Sequence, residues 1–266
     1  MVIKKRYLLL NTPINSSNQI CLYLGLRGQN YLRTFPFGQG WGFGTVNPKI
    51  WEDWFDDDIR KTGSIFNVTN RNEVVLYTFG ADSHVDETSY VQKKYIPINV
   101  YADGTHTVVH NYSMELYGNT VDNYMLNNTQ DLVLIRFADV LLMAAELNLG
   151  TAKAQSFLDR VRARVNLPSV PATLDNIKAE RRFELAFEGV RFYDLLRWHD
   201  ADRVLNENQK DIVIYRSRTE TVTKTITYRP ETNGFLQIPL SEIELSKGVL
   251  TANPGWGSEA AYQDIY

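Results

Sequence analysis

The chain has 266 residues, of which 44% are hydrophobic and 22% are charged, a composition typical of a folded protein with one or two domains. This balance excludes an intrinsically disordered chain. The formal net charge of -3 and the lack of a basic block exclude nucleic acid as a partner.

The first residues resemble a secretion signal only in part. Residues 4–6 are basic, but the apolar run at residues 7–10 is shorter than the ~7 to 15 residues of a signal core. The residues before Cys21 are also not the small ones that lipoprotein cleavage needs. We therefore predict that Cys21 is buried in a strand at residues 19–24, and we expect any lipid anchor upstream of this chain.

Residues 1–130 lack sustained helical periodicity, which predicts an irregular region of strands and loops. Within it, residues 74–79 are typical of a strand. Residues 35–44 are dense in glycine and aromatic rings, which indicates a loop. A short helix is predicted at residues 48–55, with Asn47 as its N-cap and a proline at its first position.

Residues 131–206 change to helical periodicity. The first helix has apolar side chains on two faces, which predicts burial on both sides. One face carries Leu134, Ala138, Leu141, Leu142 and Ala145, and the other carries Val133, Phe137, Val140, Ala144 and Leu147. After Gly150, a second apolar stripe that ends before Pro168 predicts an antiparallel helical hairpin, about as long as one ~34-residue tetratricopeptide unit.

A third helix is predicted from the Thr173 cap to about Gly189. Residues 191–198 are typical of a further short helix, with Asp194 turned outward.

Residues 207–266 return to strands and loops. Two β-branched runs, at residues 212–215 and 221–228, predict a hairpin, and a loop-rich tail follows. The predicted division is thus 1–130, 131–206 and 207–266, within one structural unit.

Four long segments in this order resemble the SusD/RagB family. They are LIRFADVLLMAAE at residues 134–146, LDRVRARVNLP at 158–168, ERRFELAFEGVRFYDLLRW at 180–198 and LQIPLSEIEL at 236–245. The closing NPGW at residues 253–256 is also typical of family members. The resemblance implies a mainly α fold of tetratricopeptide-like helical repeats, with a loop-rich, partly β insertion and tail.

The same resemblance implies a location and a partner. Family members are lipoproteins on the extracellular face of the bacterial outer membrane, where they cover a SusC-like TonB-dependent transporter. They also have a longer amino-terminal region, with a lipid anchor and earlier helical pairs that are missing from this chain.

Glu180, Glu184 and Glu188 lie four residues apart on one predicted helix face. No histidine completes a Glu-x-x-His metal pattern and arginines adjoin them, so we predict structural ion pairs instead of a metal site or acid-base catalysis. Four further side chains are expected to join these pairs: Arg136, Asp139, Arg162 and Asp194. The four histidines form no ligand pattern, and we expect no catalytic residue, metal or cofactor.

Sugar rings stack their apolar faces on aromatic side chains, while their hydroxyls need amide or guanidinium partners. The segment from residue 31 to residue 54 supplies both kinds of group. Trp41 is the first candidate, because the flanking glycines disfavour a helix or strand there. The predicted ligand contacts are Tyr31, Arg33, Phe35, Trp41, Phe43, Asn47, Trp51 and Trp54.

The resulting hypothesis is capture of an oligosaccharide at the cell surface and its delivery to the transporter, with no bond made or broken. Two alternatives stay open. A RagB-type subunit would bind peptides in a deep site with backbone-pairing groups. A glycan-degrading enzyme would place two carboxylates ~5 to 10 Å apart across a cleft.

Overall fold

A computed structural model describes the positions of residues 19–27, 38–70, 77–82, 84–96, 99–101, 108–111, 132–208 and 211–257. This part of the chain is rich in helix. Its helices are α1 (Gln19–Leu24), α2 (Pro48–Asp53), α3 (Ile59–Ser64), α4 (Phe137–Leu147), α5 (Ala152–Ala163), α6 (Leu174–Glu184), α7 (Arg191–Arg197), α8 (Ala201–Asn208) and α9 (Leu240–Leu245).

Sheet structure in the described residues consists of short two-stranded pairs. The strands are β1 (Ile65–Asn67) with β2 (Tyr90–Gln92), β3 (Asn99–Tyr101) with β4 (Val108–Asn111), and β5 (Ile212–Tyr215) with β6 (Thr221–Lys224). The β5–β6 pair confirms the predicted hairpin, although β6 ends before residue 228. Residues 77–79 of the predicted strand at 74–79 are in loop and turn, and its other residues lie outside the described part.

The described residues divide into two compact units. The first lies within Met1–Gly189 and Val213–Thr223, and the second lies within Val190–Ile212 and Lys224–Tyr266. The predicted boundaries at 130 and 206 stay a prediction.

Helices α4, α5 and α6 pack around one apolar core in the first unit. Leu141, Leu142 and Ala145 of α4 meet Leu158 of α5 and Ile177 of α6. The α4–α5 hairpin is confirmed, because Gly150 takes the left-handed conformation (φ 78°) and the Thr151 hydroxyl then caps α5.

The second face of α4 differs from the prediction. Phe137, Val140 and Leu147 are 48%, 43% and 86% exposed, so burial on two sides is wrong for the described residues. An apolar face is buried only where a partner element packs on it. In the described part of the chain the second face stays partly open, although the Arg160 guanidinium of α5 lies over the Phe137 ring, 5.2 Å from its centroid.

Three local predictions are also corrected. The segment around Cys21 is the helix α1, although the predicted burial of Cys21 is confirmed at 0% exposure. Helix α6 ends at Glu184, well before Gly189, because the chain turns through left-handed Phe187 (φ 66°) and Gly189 (φ 79°). Asp194 is buried in α7 and accepts a hydrogen bond from Arg197 Nε at 2.9 Å, and this charge-assisted bond offsets the cost of burial.

Buried ion pairs link α6 to distant segments, as predicted for its glutamates. The carboxylate of Glu184 accepts hydrogen bonds from Arg60 at 2.7 Å, from Arg164 at 2.8 Å and from Arg136. Glu180 pairs with Arg60 at 2.5 Å. Further pairs in the same unit join Arg162 to Glu180, Arg136 and Lys94 to Glu188, and Arg181 to Asp139.

The second unit contains α7, α8, α9 and a closing loop. The side-chain amide of Asn206 accepts from the Tyr228 N–H at 2.6 Å and donates to the Tyr228 carbonyl at 2.8 Å. Trp256 donates its indole N–H to the Phe235 carbonyl at 2.9 Å, and this bond fixes the closing segment. None of the helices in the described part of either unit is long and apolar enough to cross a membrane.

Candidate functional site

The glycine loop, defined here as residues 38–44, packs on the end of α1. The last carbonyls of a helix have no intrahelical donor. In this chain the Trp41 N–H donates to the Leu22 carbonyl and the Phe43 N–H to the Tyr23 carbonyl, both at 2.8 Å. These bonds position the loop on the helix without any regular element of its own.

Gly40 allows this close approach. A Cβ atom at Gly40 would lie 2.4 Å from the Leu22 carbonyl oxygen and 2.5 Å from the Gly25 Cα, so glycine is required there.

Three rings meet where the loop and the helix join, and we call Tyr23, Trp41 and Phe43 the stacking cluster. The ring centroids of Tyr23 and Trp41 are 5.2 Å apart, and Trp41 meets Phe43 edge-on at 6.1 Å. Tyr23 is 40% and Phe43 is 48% exposed, while Trp41 is half-buried. Aromatic surface is therefore held in place and open to solvent.

A cavity of about 410 Å³ adjoins this cluster. The glycine loop forms one side of it, and a second chain segment and the β5–β6 hairpin supply polar groups. Its lining residues are Gly42, Phe43, Gly44, Thr45, His84, Val85, Asp86 and Arg216.

An ion pair fixes the segment that lines the far side of the cavity. Arg27 Nε donates to Asp82 at 2.7 Å, and Asp82 also accepts the His84 N–H at 3.0 Å. The hydrogen bond from Arg27 holds the pKa of the Asp82 carboxyl below its ordinary value. Asp82 is therefore ionised at neutral pH and holds His84 in place.

The structure brings two of the predicted ligand contacts together, namely Trp41 and Phe43. Tyr31, Arg33 and Phe35 lie outside the described residues and stay predictions.

Three other predicted contacts have structural roles in the first unit. Trp54 is a correction, because it is 2% exposed and donates its indole N–H to Asp58 at 2.9 Å. A buried ring offers no face to a ligand. Trp51 is half-buried against Tyr90, with ring centroids 5.1 Å apart. Asn47 caps α2 by accepting the Lys49 N–H at 3.0 Å, as predicted.

The sequence interpretation missed Tyr23, Asp86 and Arg216. Tyr23 was hidden by the strand prediction, since a helix that buries Cys21 and Leu22 turns the next residue outward. Asp86 and Arg216 are 130 residues apart, and no local pattern connects them.

Comparisons with known proteins agree with this architecture. The model of the SusD family matches residues 27–256. SusD-like protein P2 of Formosa agariphila is 25% identical over 201 residues, which are 69% of this chain and 36% of that protein.

Two solved structures share the fold. A laminarin-binding SusD-like protein is 31% identical with a TM-score of 0.64, over 90% of this chain and 44% of that one. Surface glycan-binding protein A from Bacteroides thetaiotaomicron, in complex with laminarihexaose, is 25% identical with a TM-score of 0.60. The match covers 91% of this chain and 46% of that one. The mainly α, tetratricopeptide-like class is thereby confirmed, and this chain spans less than half of each of these relatives.

Proposed function

The chain belongs to the SusD family, and from that premise we propose that it captures an oligosaccharide at the cell surface without breaking a bond. The observation that carries this proposal is the stacking cluster, whose Phe43 also lines the polar cavity. Sugar rings present apolar C–H faces to aromatic side chains, and their hydroxyls need donors and acceptors close by. Tyr23 and Phe43 offer exposed ring faces, and Thr45, His84 and Arg216 offer polar partners.

The relatives support the same ligand class. One is a laminarin-binding protein and another is a surface glycan-binding protein with laminarihexaose bound. These ligands belong to those proteins, and a β-glucan is therefore the first compound to test.

The proposal extends to location and partner. By family resemblance, the protein acts on the extracellular face of the outer membrane, attached through a lipid anchor. It delivers its ligand to a SusC-like TonB-dependent transporter. Co-purification of the full-length protein with such a transporter from outer membranes tests this step, and purification without one contradicts it.

Isothermal titration of the 266-residue chain with neutral hexasaccharides, including laminarihexaose, tests ligand capture. We expect Phe43→Ala and Trp41→Ala to weaken binding about 3- to 10-fold, because each removes a stacking face. Phe55→Ala is the matched control, since Phe55 is also exposed but lies outside the stacking cluster, and its affinity should equal that of the wild type.

Three outcomes overturn the proposal. The first is that no glycan binds. The second is that only peptides bind, which is the RagB-type alternative. The third is that the bound glycan is recovered as shorter products, which would identify an enzyme.

A further inference from the structure

We propose that Arg216 is the specificity-determining residue of this site and selects neutral sugars by donating hydrogen bonds to their hydroxyl groups. The inference rests on the proposed glycan function and deepens it. Arg216 lines the same cavity as Phe43, so a sugar stacked on the ring would enter a cavity that the arginine also lines. Its side chain is 42% exposed, which leaves it accessible from solvent.

The backbone places Arg216 next to Asp86. Glu87 and Tyr215 exchange two hydrogen bonds, at 3.0 and 2.8 Å, in an isolated antiparallel bridge. The residues on either side of such a bridge face each other, and Asp86 lies opposite Arg216. Arg216 Nε donates to Asp86 Oδ1 at 3.2 Å.

Three contacts hold the bridge between Glu87 and Tyr215 in place. The ring of Phe79 stacks on Tyr215 with centroids 4.1 Å apart. The buried carboxylate of Glu87 accepts the Gly80 N–H at 2.7 Å. Gly80 lies so close to Ser217 that a Cβ atom at Gly80 would be 2.1 Å from the Ser217 carbonyl carbon. The position of the Arg216 backbone is therefore set before any ligand arrives.

The guanidinium keeps donors for a ligand. Arginine has five N–H groups in a planar fork. Nε serves Asp86, and Nη1 makes a long contact of 3.4 Å with Glu220. Within the described residues, Nη2 has no acceptor. We therefore expect its two N–H groups to donate to hydroxyl oxygens of the ligand.

The charge balance favours a neutral sugar. Arg216, which lines the cavity, is already paired with Asp86 and Glu220, and Arg27 is paired with Asp82, which also accepts the His84 N–H. These carboxylates would repel a uronate or sulfate group that entered the cavity, and no unpaired positive charge among the described lining residues would offset the repulsion. A hydroxyl group, which both donates and accepts, fits an arginine–carboxylate pair.

The test compares variants of the full chain by titration with laminarihexaose, xylohexaose and hexagalacturonate. The wild type should bind a neutral hexasaccharide more tightly than the uronate. Arg216→Ala should weaken that binding about 10- to 100-fold, because bonds to a charged donor are lost. Arg216→Lys should restore little of it, since an ammonium lacks the planar fork. Asp86→Asn should raise the affinity for hexagalacturonate by removing a repelling charge.

The control is Arg203→Ala, an exposed arginine of α8 that pairs with Asp200, and it should bind like the wild type. Matching thermal unfolding midpoints establish that each variant is folded. If the wild type binds none of the three compounds, the proposed function fails and the inference falls with it. If the wild type binds a neutral compound and both Arg216 variants bind it equally well, or if the wild type prefers the uronate, only the inference is overturned.

Discussion

Gly80 has a conformation and a neighbour that exclude a side chain. Its φ of 60° lies in the left-handed region, and its Cα faces the backbone of Ser217. Backbone atoms cannot move aside as the end of a flexible side chain can. Glycine is therefore needed here both for the conformation and for the contact.

We expect Gly80→Ala to lower the free energy of unfolding by about 1–3 kcal/mol, because it forces a strained φ and displaces the turn after β5. Urea denaturation measures this change. Gly63→Ala is the matched control, since Gly63 lies in α3 with open space around its Cα. In a helix this change should be neutral or stabilising by up to about 1 kcal/mol. Equal stability of Gly80→Ala and wild type would contradict the argument.

Single residues were predictable where a local rule decides their role. The caps at Asn47 and Thr173 follow from the identity of the residue and the few that come after it, and both are confirmed. Trp54 was not predictable in this way. Its burial depends on the ring of Phe183, 5.0 Å away in a distant part of the sequence, and on Asp58 as acceptor for its N–H.

At the scale of elements, the helix α4 carries both a buried and an exposed leucine. Leu142 is fully buried against α5 and α6, whereas Leu147, at the end of the same helix, is open to solvent. The stability of the helical core therefore depends on one face of α4.

We expect Leu142→Ala to reduce the free energy of unfolding by about 2–5 kcal/mol, through lost burial and the cavity that remains. Leu147→Ala, the same substitution in the same helix, should change it by less than about 0.5 kcal/mol. Chemical denaturation of the two variants gives the comparison. A large effect at Leu147 would mean that the second face of α4 is covered in solution.

Element types were predictable from periodicity, and element ends were less so. The stripes of α4 and α5 extend over several turns, which made the hairpin a clear prediction. The six residues of α1 are too few for their apolar pattern to separate a strand from a helix. The early end of α6 comes from the turn through Phe187, where an aromatic residue takes a left-handed conformation that the sequence pattern does not show.

At the scale of the molecule, charge pairs connect segments that are far apart in the chain. In the first unit, Glu184 of α6 accepts hydrogen bonds from Arg60 of α3, from Arg136 before α4 and from Arg164 after α5. Burial alone would raise the pKa of Glu184, but the hydrogen bonds and charges of these arginines outweigh it and lower the pKa below the ordinary 4.5.

The sign of the pH dependence follows from this shift. A carboxyl whose pKa is lower in the folded state stabilises the fold above its unfolded pKa, and this contribution is lost as the pH falls through the folded value. We expect the free energy of unfolding to fall when the pH is lowered from about 5 to below 4.5. Glu184→Gln should cost about 3–5 kcal/mol at pH 7, because Arg60 and Arg136 each lose one of their buried carboxylate partners, and should flatten this acid dependence.

Denaturation at several pH values measures both effects. Glu52→Gln is the control, because Glu52 is an exposed carboxylate paired with Lys49 on α2, and its removal should have little effect. An unchanged pH profile in Glu184→Gln would show that other groups cause the acid sensitivity.

The composition predicted the class of molecule, and the spacing of the glutamates predicted that ion pairs would link its helices. The identity of the partners was beyond the sequence, since Arg60 and Arg164 carry no pattern that points to Glu184. The stacking cluster was predictable in part, because Trp41 and Phe43 lie between glycines and Tyr23 does not.

Cys21, the only cysteine in the chain, lies in α1, the helix on whose end the glycine loop packs, and is fully buried. Burial raises the pKa of its thiol to about 12, so the reactive thiolate is scarce at neutral pH. An alkylating reagent can therefore modify Cys21 only when the packing around α1 opens. The rate of alkylation measures how often the packing around α1 opens, and its slowing by a bound glycan would report ligand binding without any label on the sugar.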